Sequence, residues 1–172
     1  LEFGQRITHI LVTHSHIDHS KLATALSQAS GATIYGFGPS DIGQSDVMRE
    51  LIASGYIGGG EGSDKDFRPD ICLEDGDQIE GDGWNISVLH TPGHFANHIT
   101  YTWRDIAFTG DHIMEWASSM VSPPDGDLAD FMSSCRKLKD KDWRIFYPGH
   151  GGPVQRPRQR LEWLISHRLG RE

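Results

Sequence analysis

Residues 13–19, Thr13-His14-Ser15-His16-Ile17-Asp18-His19, directly follow a short β-branched apolar run at residues 7–12. That run reads as a buried strand, so several imidazoles and a carboxylate are delivered together at one strand end. In extended backbone, side chains i and i+2 point the same way, so His14 and His16 can reach one ion together. Asp18 and His19 lie where the chain turns into a helix over residues 21–26, ended by Ser30-Gly31, and can face a neighbouring ion. Residues 32–35 supply the next strand and complete a βαβ unit.

The same habit recurs three times. His94, in Thr91-Pro92-Gly93-His94, follows a strand over residues 84–90. Asp111, in Thr109-Gly110-Asp111, follows one over 106–109, and His150, in Pro148-Gly149-His150, follows one over 144–147. Loops at one edge of a sheet converge on one crevice, so these distant groups can meet. Five histidines and two carboxylates are too many ligands for one four-coordinate zinc and suit two ions with one carboxylate shared. Nitrogen and oxygen donors fit zinc first, with manganese or iron as alternatives.

The other five of the ten histidines carry weaker expectations. His112, beside Asp111, is a candidate to support the ligands or face substrate, and His98 a candidate support for His94. His9, His90 and His167 read as structural. Met114, Trp116 and Met120 are candidates to line a substrate pocket.

Elsewhere, Ser45-Asp46 can cap a helix over residues 47–53. The glycine-laden stretch 55–70, with Gly58-Gly59-Gly60-Glu61-Gly62, lacks the Lys-Ser/Thr ending of a phosphate loop and reads as a flexible surface loop. Strands are expected over 71–80, 84–90, 99–103 and 106–109, with turns at Asp75-Gly76, Asp82-Gly83 and Arg104-Asp105. Residues 128–139 form an amphipathic helix in which Cys135 aligns with Phe131 and Leu138, and residues 158–169 form a last helix.

At 172 residues the chain fits one domain, 1–172. No apolar run approaches the ~18 residues a bilayer demands, so nothing requires a membrane. A net charge of −8 argues against gripping a nucleic-acid backbone, although bound cations would reverse the sign locally. A small-molecule substrate is the favoured partner, and the oligomeric state is left open. Cys72 and Cys135 make no CxxC pair or disulfide framework, and the N-terminus lacks the layout of a secretory signal, so a cytoplasmic location is expected.

The segment His14-Ser15-His16-Ile17-Asp18-His19 resembles the HxHxDH signature of the metallo-β-lactamase superfamily. Thr91-Pro92-Gly93-His94, Thr109-Gly110-Asp111 and Pro148-Gly149-His150-Gly151 resemble its later metal motifs, in the same order. The Thr-Pro-Gly-His and Gly-Asp motifs are similar to those of glyoxalase II. Residues 110–127, Tyr147-Pro148-Gly149-His150-Gly151-Gly152 and the late His167-Arg168 look more like the β-lactamase-like protein 2 branch. The resemblance implies an α/β (α+β) fold, the αββα sandwich. It implies that His14, His16 and His94 hold one zinc, that Asp18, His19 and His150 hold a second, and that Asp111 bridges. The implied activity is hydrolysis of a thioester, ester or lactone by a dizinc-bridged hydroxide, with Asp18 orienting the nucleophile and handling its proton. Two alternatives stand: a metal-dependent endoribonuclease, and a mononuclear iron enzyme like the persulfide dioxygenases using only His14, His94 and Asp111. A β-lactamase is disfavoured by a carboxylate at Asp111. The signature normally follows several strands, whereas here it starts at residue 14. The chain is therefore expected to be a fragment lacking much of the N-terminal half, its last helix leading toward a winged-helix-like segment.

Overall fold

The computed structural model describes residues 6–56, 58 and 62–170. Strands β1 (His9–Leu11), β2 (Thr33–Gly36) and β3 (Ile71–Cys72) form a parallel sheet in that order. Strands β4 (Gln78–Gly81), β5 (Trp84–His90), β6 (Ile99–Trp103), β7 (Ile106–Gly110) and β8 (Ile145–Pro148) form a second sheet in sequence order. It is antiparallel except for the β7–β8 pair, whose parallel crossover runs through α4 (Leu128–Lys139). The remaining helices are α1 (Ile17–Ser20), α2 (Ala23–Ser30), α3 (Asp46–Ala53) and α5 (Pro157–Leu169).

Three apolar layers stack the elements in the order helix, sheet, sheet, helix. Val12, Ala23, Ile34 and Phe67 join α2 to the outer face of the small sheet. Between the sheets, Val88, Ile99 and Tyr101 pack with Leu11, Tyr35 and Phe37. On the far face of the large sheet, Leu89, Ala107 and Phe146 meet Phe131, Cys135 and Leu138 of α4 and Leu161 and Leu164 of α5. The alternation of strand side chains explains the division: Val88 faces one layer and its neighbour Leu89 the other. The result is the expected αββα sandwich, and Cys135 is the buried hydrophobe its helical spacing indicated.

Local signals match local structure. Gly31 ends α2 in the left-handed conformation (φ 74°), and Ser45 caps α3 by accepting from the Met48 amide. Asp127 caps α4 by accepting from the amides of Ala129 and Asp130.

Two expectations need correction. Residues 71–80 read as one strand around an Asp75-Gly76 turn, but β3 and β4 belong to different sheets. Apolar periodicity reports burial, and burial by either sheet looks the same in sequence. The stretch 55–70 reads as a flexible surface loop, and its Gly59-Gly60-Glu61 portion lies outside the described residues. Residues 63–67, however, are anchored. Ser63 bridges His16, the Asp64 amide donates to Ser15 O (2.8 Å), and Phe67 is 5% exposed. Among the described residues, no helix is long and apolar enough to cross a membrane.

Candidate metal centre

Leaving β1, the chain is tied to the large sheet where the Ile99 amide donates to Thr13 O (2.8 Å). His16 is extended (φ −68°, ψ 148°) and serves as the N-cap of α1, so His14 and His16 precede the helix while Asp18 and His19 lie within it. The Ser20 hydroxyl, within donor reach of His16 O (2.9 Å) and Asp64 Oδ2 (3.0 Å), locks this turn. Glycines make the other loops fit. At Gly93 (φ 138°) a Cβ would stand 2.4 Å from the Phe131 amide nitrogen, and at Gly110 (φ 47°) 2.6 Å from His98 Nε2.

All seven expected residues come together. His14 Nε2 lies 2.9 Å from His16 Nδ1, which lies 3.0 Å from His94 Nε2. Beside this trio, His19 Nε2 and His150 Nε2 are 3.2 Å apart. Asp18 Oδ2 is 3.4 Å from His19 and 3.1 Å from His150, and Asp111 Oδ2 is 3.3 and 3.4 Å from the same two nitrogens. Asp111 Oδ2 also lies 3.8 Å from His94 Nε2, so one oxygen faces both groups. A tetrahedral zinc with bonds of about 2.0–2.1 Å separates its donors by roughly 3.3 Å. The five separations given for the second group, 3.1–3.4 Å, meet that spacing, and the trio's 2.9 and 3.0 Å approach it.

The chemical state of the donors fits a cation as well. His94 Nδ1 donates to Met120 O (2.7 Å), which fixes the ring so that its Nε2 faces His16. Burial lowers the His14 pKa well below its usual value and that of His16 to about 4, so both rings are neutral at pH 7. Burial alone would raise the Asp111 carboxyl, but the hydrogen bond and charge from His19, with His94 and His150, bring it below its ordinary value. Neutral imidazoles with ionised carboxylates are the ligand forms. Asp111 Oδ1 is buried with no hydrogen-bond partner among the described residues, an arrangement costly for a carboxylate without a cation. These residues could hold two ions.

The cluster opens into a cleft of about 400 Å³. Asp18, His94, Asp111 and His150 form its floor, and Ile17, Met114, Trp116 and Met120 its walls. The pocket reading of the two methionines and Trp116 therefore holds. His112 does not face substrate: it is fully buried, its ring 4.5 Å from Phe131 and its Nε2 3.7 Å from Cys135 Sγ. His98 stands behind His14, ring to ring at 5.1 Å, within hydrogen-bond distance of Thr91 Oγ1 (3.0 Å). His90 stacks on Phe37, His9 on Tyr35 and His167 on Trp163, all structural contacts.

Sequence reasoning missed Asn97 and Asp64. Asn97 Oδ1 accepts from the Ser15 amide, while its Nδ2 donates to Ser15 Oγ and the carbonyls of Gly38 and Pro39. Both residues hold the loop bearing His14 and His16, and both are polar residues in loops. That composition carries no signal of burial.

The sequence pattern described as Metallo-beta-lactamase superfamily matches residues 3–150. The chain is 31% identical over 170 residues to the beta-lactamase-like protein 2 homolog of Drosophila melanogaster, covering 95% of this chain and 51% of that protein. It is 32% identical over 147 residues to hydroxyacylglutathione hydrolase GloC of Haemophilus influenzae, covering 83% and 68%. The crystal structure of a metallo-beta-lactamase family protein from Thermus thermophilus matches with a TM-score of 0.74 at 25% identity, over 95% of this chain and 61% of that one. The chain thus spans about half the length of the fly relative and about two thirds of the bacterial one. With fold, motif order and donor geometry in agreement, this chain belongs to the metallo-β-lactamase superfamily.

Proposed function

We propose that the chain is a dinuclear metal-dependent hydrolase, with zinc as the first choice of metal and a small-molecule thioester, ester or lactone as substrate. One observation carries the reading: Asp111 Oδ2 faces both the His14/His16/His94 trio and the Asp18/His19/His150 group. The similarity to a hydroxyacylglutathione hydrolase supports a thioester first. The net charge of −8 supports a small molecule over RNA.

Two divalent cations held there would supply hydroxide near neutral pH and positive charge where an oxyanion develops. The chain's own residues do the rest. His14, His16 and His94 would hold one ion and Asp18, His19 and His150 the other, with Asp111 placed to serve both. Asp18, its side chain 49% exposed on the cleft floor, orients the attacking water and receives its proton. Met114, Trp116 and Met120 seat the acyl group and exclude bulk water. Two unpaired cysteines accord with a reducing cytoplasm.

The test is elemental analysis of protein purified without added metal, alongside assays on a thioester panel and on single-stranded RNA at low salt. Two zinc ions per chain with thioester turnover is the expected result. His16→Ala and Asp111→Ala should each lose metal and hydrolysis together. One iron per chain, or cleavage of RNA alone, would overturn the proposal.

A further inference from the structure

The segment 111–120 contains no helix or strand, yet it supplies Met114, Trp116 and Met120 to the cleft and the Met120 carbonyl to His94 Nδ1. Much of what holds it comes from α5. Arg160 Nε donates to Met114 O (2.8 Å) and its Nη2 to Ala117 O (2.6 Å), a two-pronged grip that only a guanidinium provides. Two helical turns further on, the late His167-Arg168 pair completes the contact. Arg168 Nη2 donates to Ser119 O, and its guanidinium lies 5.3 Å over the Phe131 ring. Arg160 in turn lies 4.5 Å over Trp163, which stacks on His167 at 4.7 Å. Positions three, four, seven and eight apart share one helix face, so this row presents both arginines to one loop.

We infer that Arg160 and Arg168 are positioning residues. By gripping three carbonyls of the 114–119 backbone, α5 fixes the substrate wall of the cleft and, through Met120 O, the ring orientation of His94. Neither arginine lines the cleft floor or supplies a metal donor, so each acts through the loop. Specificity would then depend on a helix outside the site. The kinetic part of this inference rests on the hydrolase reading; the structural part does not.

Hydrogen exchange on the full chain, zinc-loaded and chelated, tests it. In Arg168→Met, amides of a peptide over 112–122 should exchange about tenfold faster, the factor one lost charge-assisted hydrogen bond implies, and in Arg160→Met, which loses two such bonds, the acceleration should be larger still. Peptides over β5–β7 should be unchanged. Arg160→Lys, which keeps the charge but only one prong, should fall between and covers the case in which the methionine variant does not fold. Zinc release should quicken in step, and KM for any substrate turned over should rise more than kcat falls. Unchanged exchange in 112–122, or equal acceleration in every peptide, would overturn the clamp. Absence of hydrolysis by the unsubstituted chain would count against the hydrolase reading alone.

Discussion

Gly149 offers a steric probe of the second ligand group. A Cβ built there would stand 2.5 Å from Asp111 Oδ1 and 2.7 Å from His19 Cε1, whereas its φ lies outside the left-handed range, so alanine strains only the side chains it meets. An ordinary contact between such atoms is about 3.4 Å or more, so the carboxylate and the imidazole must each retreat by several tenths of an ångström. Metal–ligand distances tolerate about 0.2 Å. Changes that disturb ligand orientation typically cost about 10–100-fold in metal affinity, and here two ligands of one ion move together. Gly149→Ala should therefore weaken the second zinc by on the order of 100-fold, about 2.7 kcal/mol. The ion at His14, His16 and His94 should be weakened less, because only the shared Asp111 is displaced there and the three imidazoles stay in place. Because both displaced atoms are side-chain ends, the metal-free melting temperature should barely move. Gly152→Ala is the matched control, since its Cβ would meet nothing within 4 Å. The assay is competition against a chromogenic chelator, resolving the two binding steps. Retention of both ions by Gly149→Ala within about twofold of the unsubstituted affinity would refute the assignment of Asp111 and His19 to one ion.

Gly93→Ala should behave differently, because its Cβ would lie 2.3 Å from Phe131 Cα, and α4 backbone cannot yield as a side chain can. A loss of about 3 kcal/mol or more in denaturant unfolding is expected, and a loss under about 1 kcal/mol would contradict the close packing. His112 is buried and neutral, burial holding its pKa near 3 against 6.5 when unfolded. Its folded value is the lower, so stability is full above pH 6.5 and is lost as pH falls toward about 3, where only the unfolded chain gains the proton. Urea unfolding of the metal-free chain should lose several kcal/mol across that window, and His112→Leu should flatten the slope; an unchanged slope would refute the assignment. Stripping metal with a chelator should lower the melting temperature, and adding zinc at about 100 times its dissociation constant should restore about 2.7 kcal/mol; indifference to zinc would count against the site.

Much of this protein is legible from residue order alone. Ser45, Gly31 and the apolar spacing of residues 128–139 act over a few residues, and their helices appear where those local rules put them. The donors are equally readable, because HxHxDH sets side chains i and i+2 on one side and hands the rest to a helix start. Each later donor follows a strand by only a few residues.

Tertiary structure alone decided how those pieces meet. Whether β3 joins β2 or β4 depends on which apolar face covers it, and residues 71–80 look the same either way. The anchoring of Asp64 and Asn97 to the loop at His14–His16, and the reach of Arg160 and Arg168 to the 114–119 carbonyls, join residues far apart in the chain, 82 positions in the case of Ser15 and Asn97. Hydrogen bonds to backbone across such separations leave no periodic trace in sequence, since a carbonyl is offered by every residue and only the fold selects which one is met.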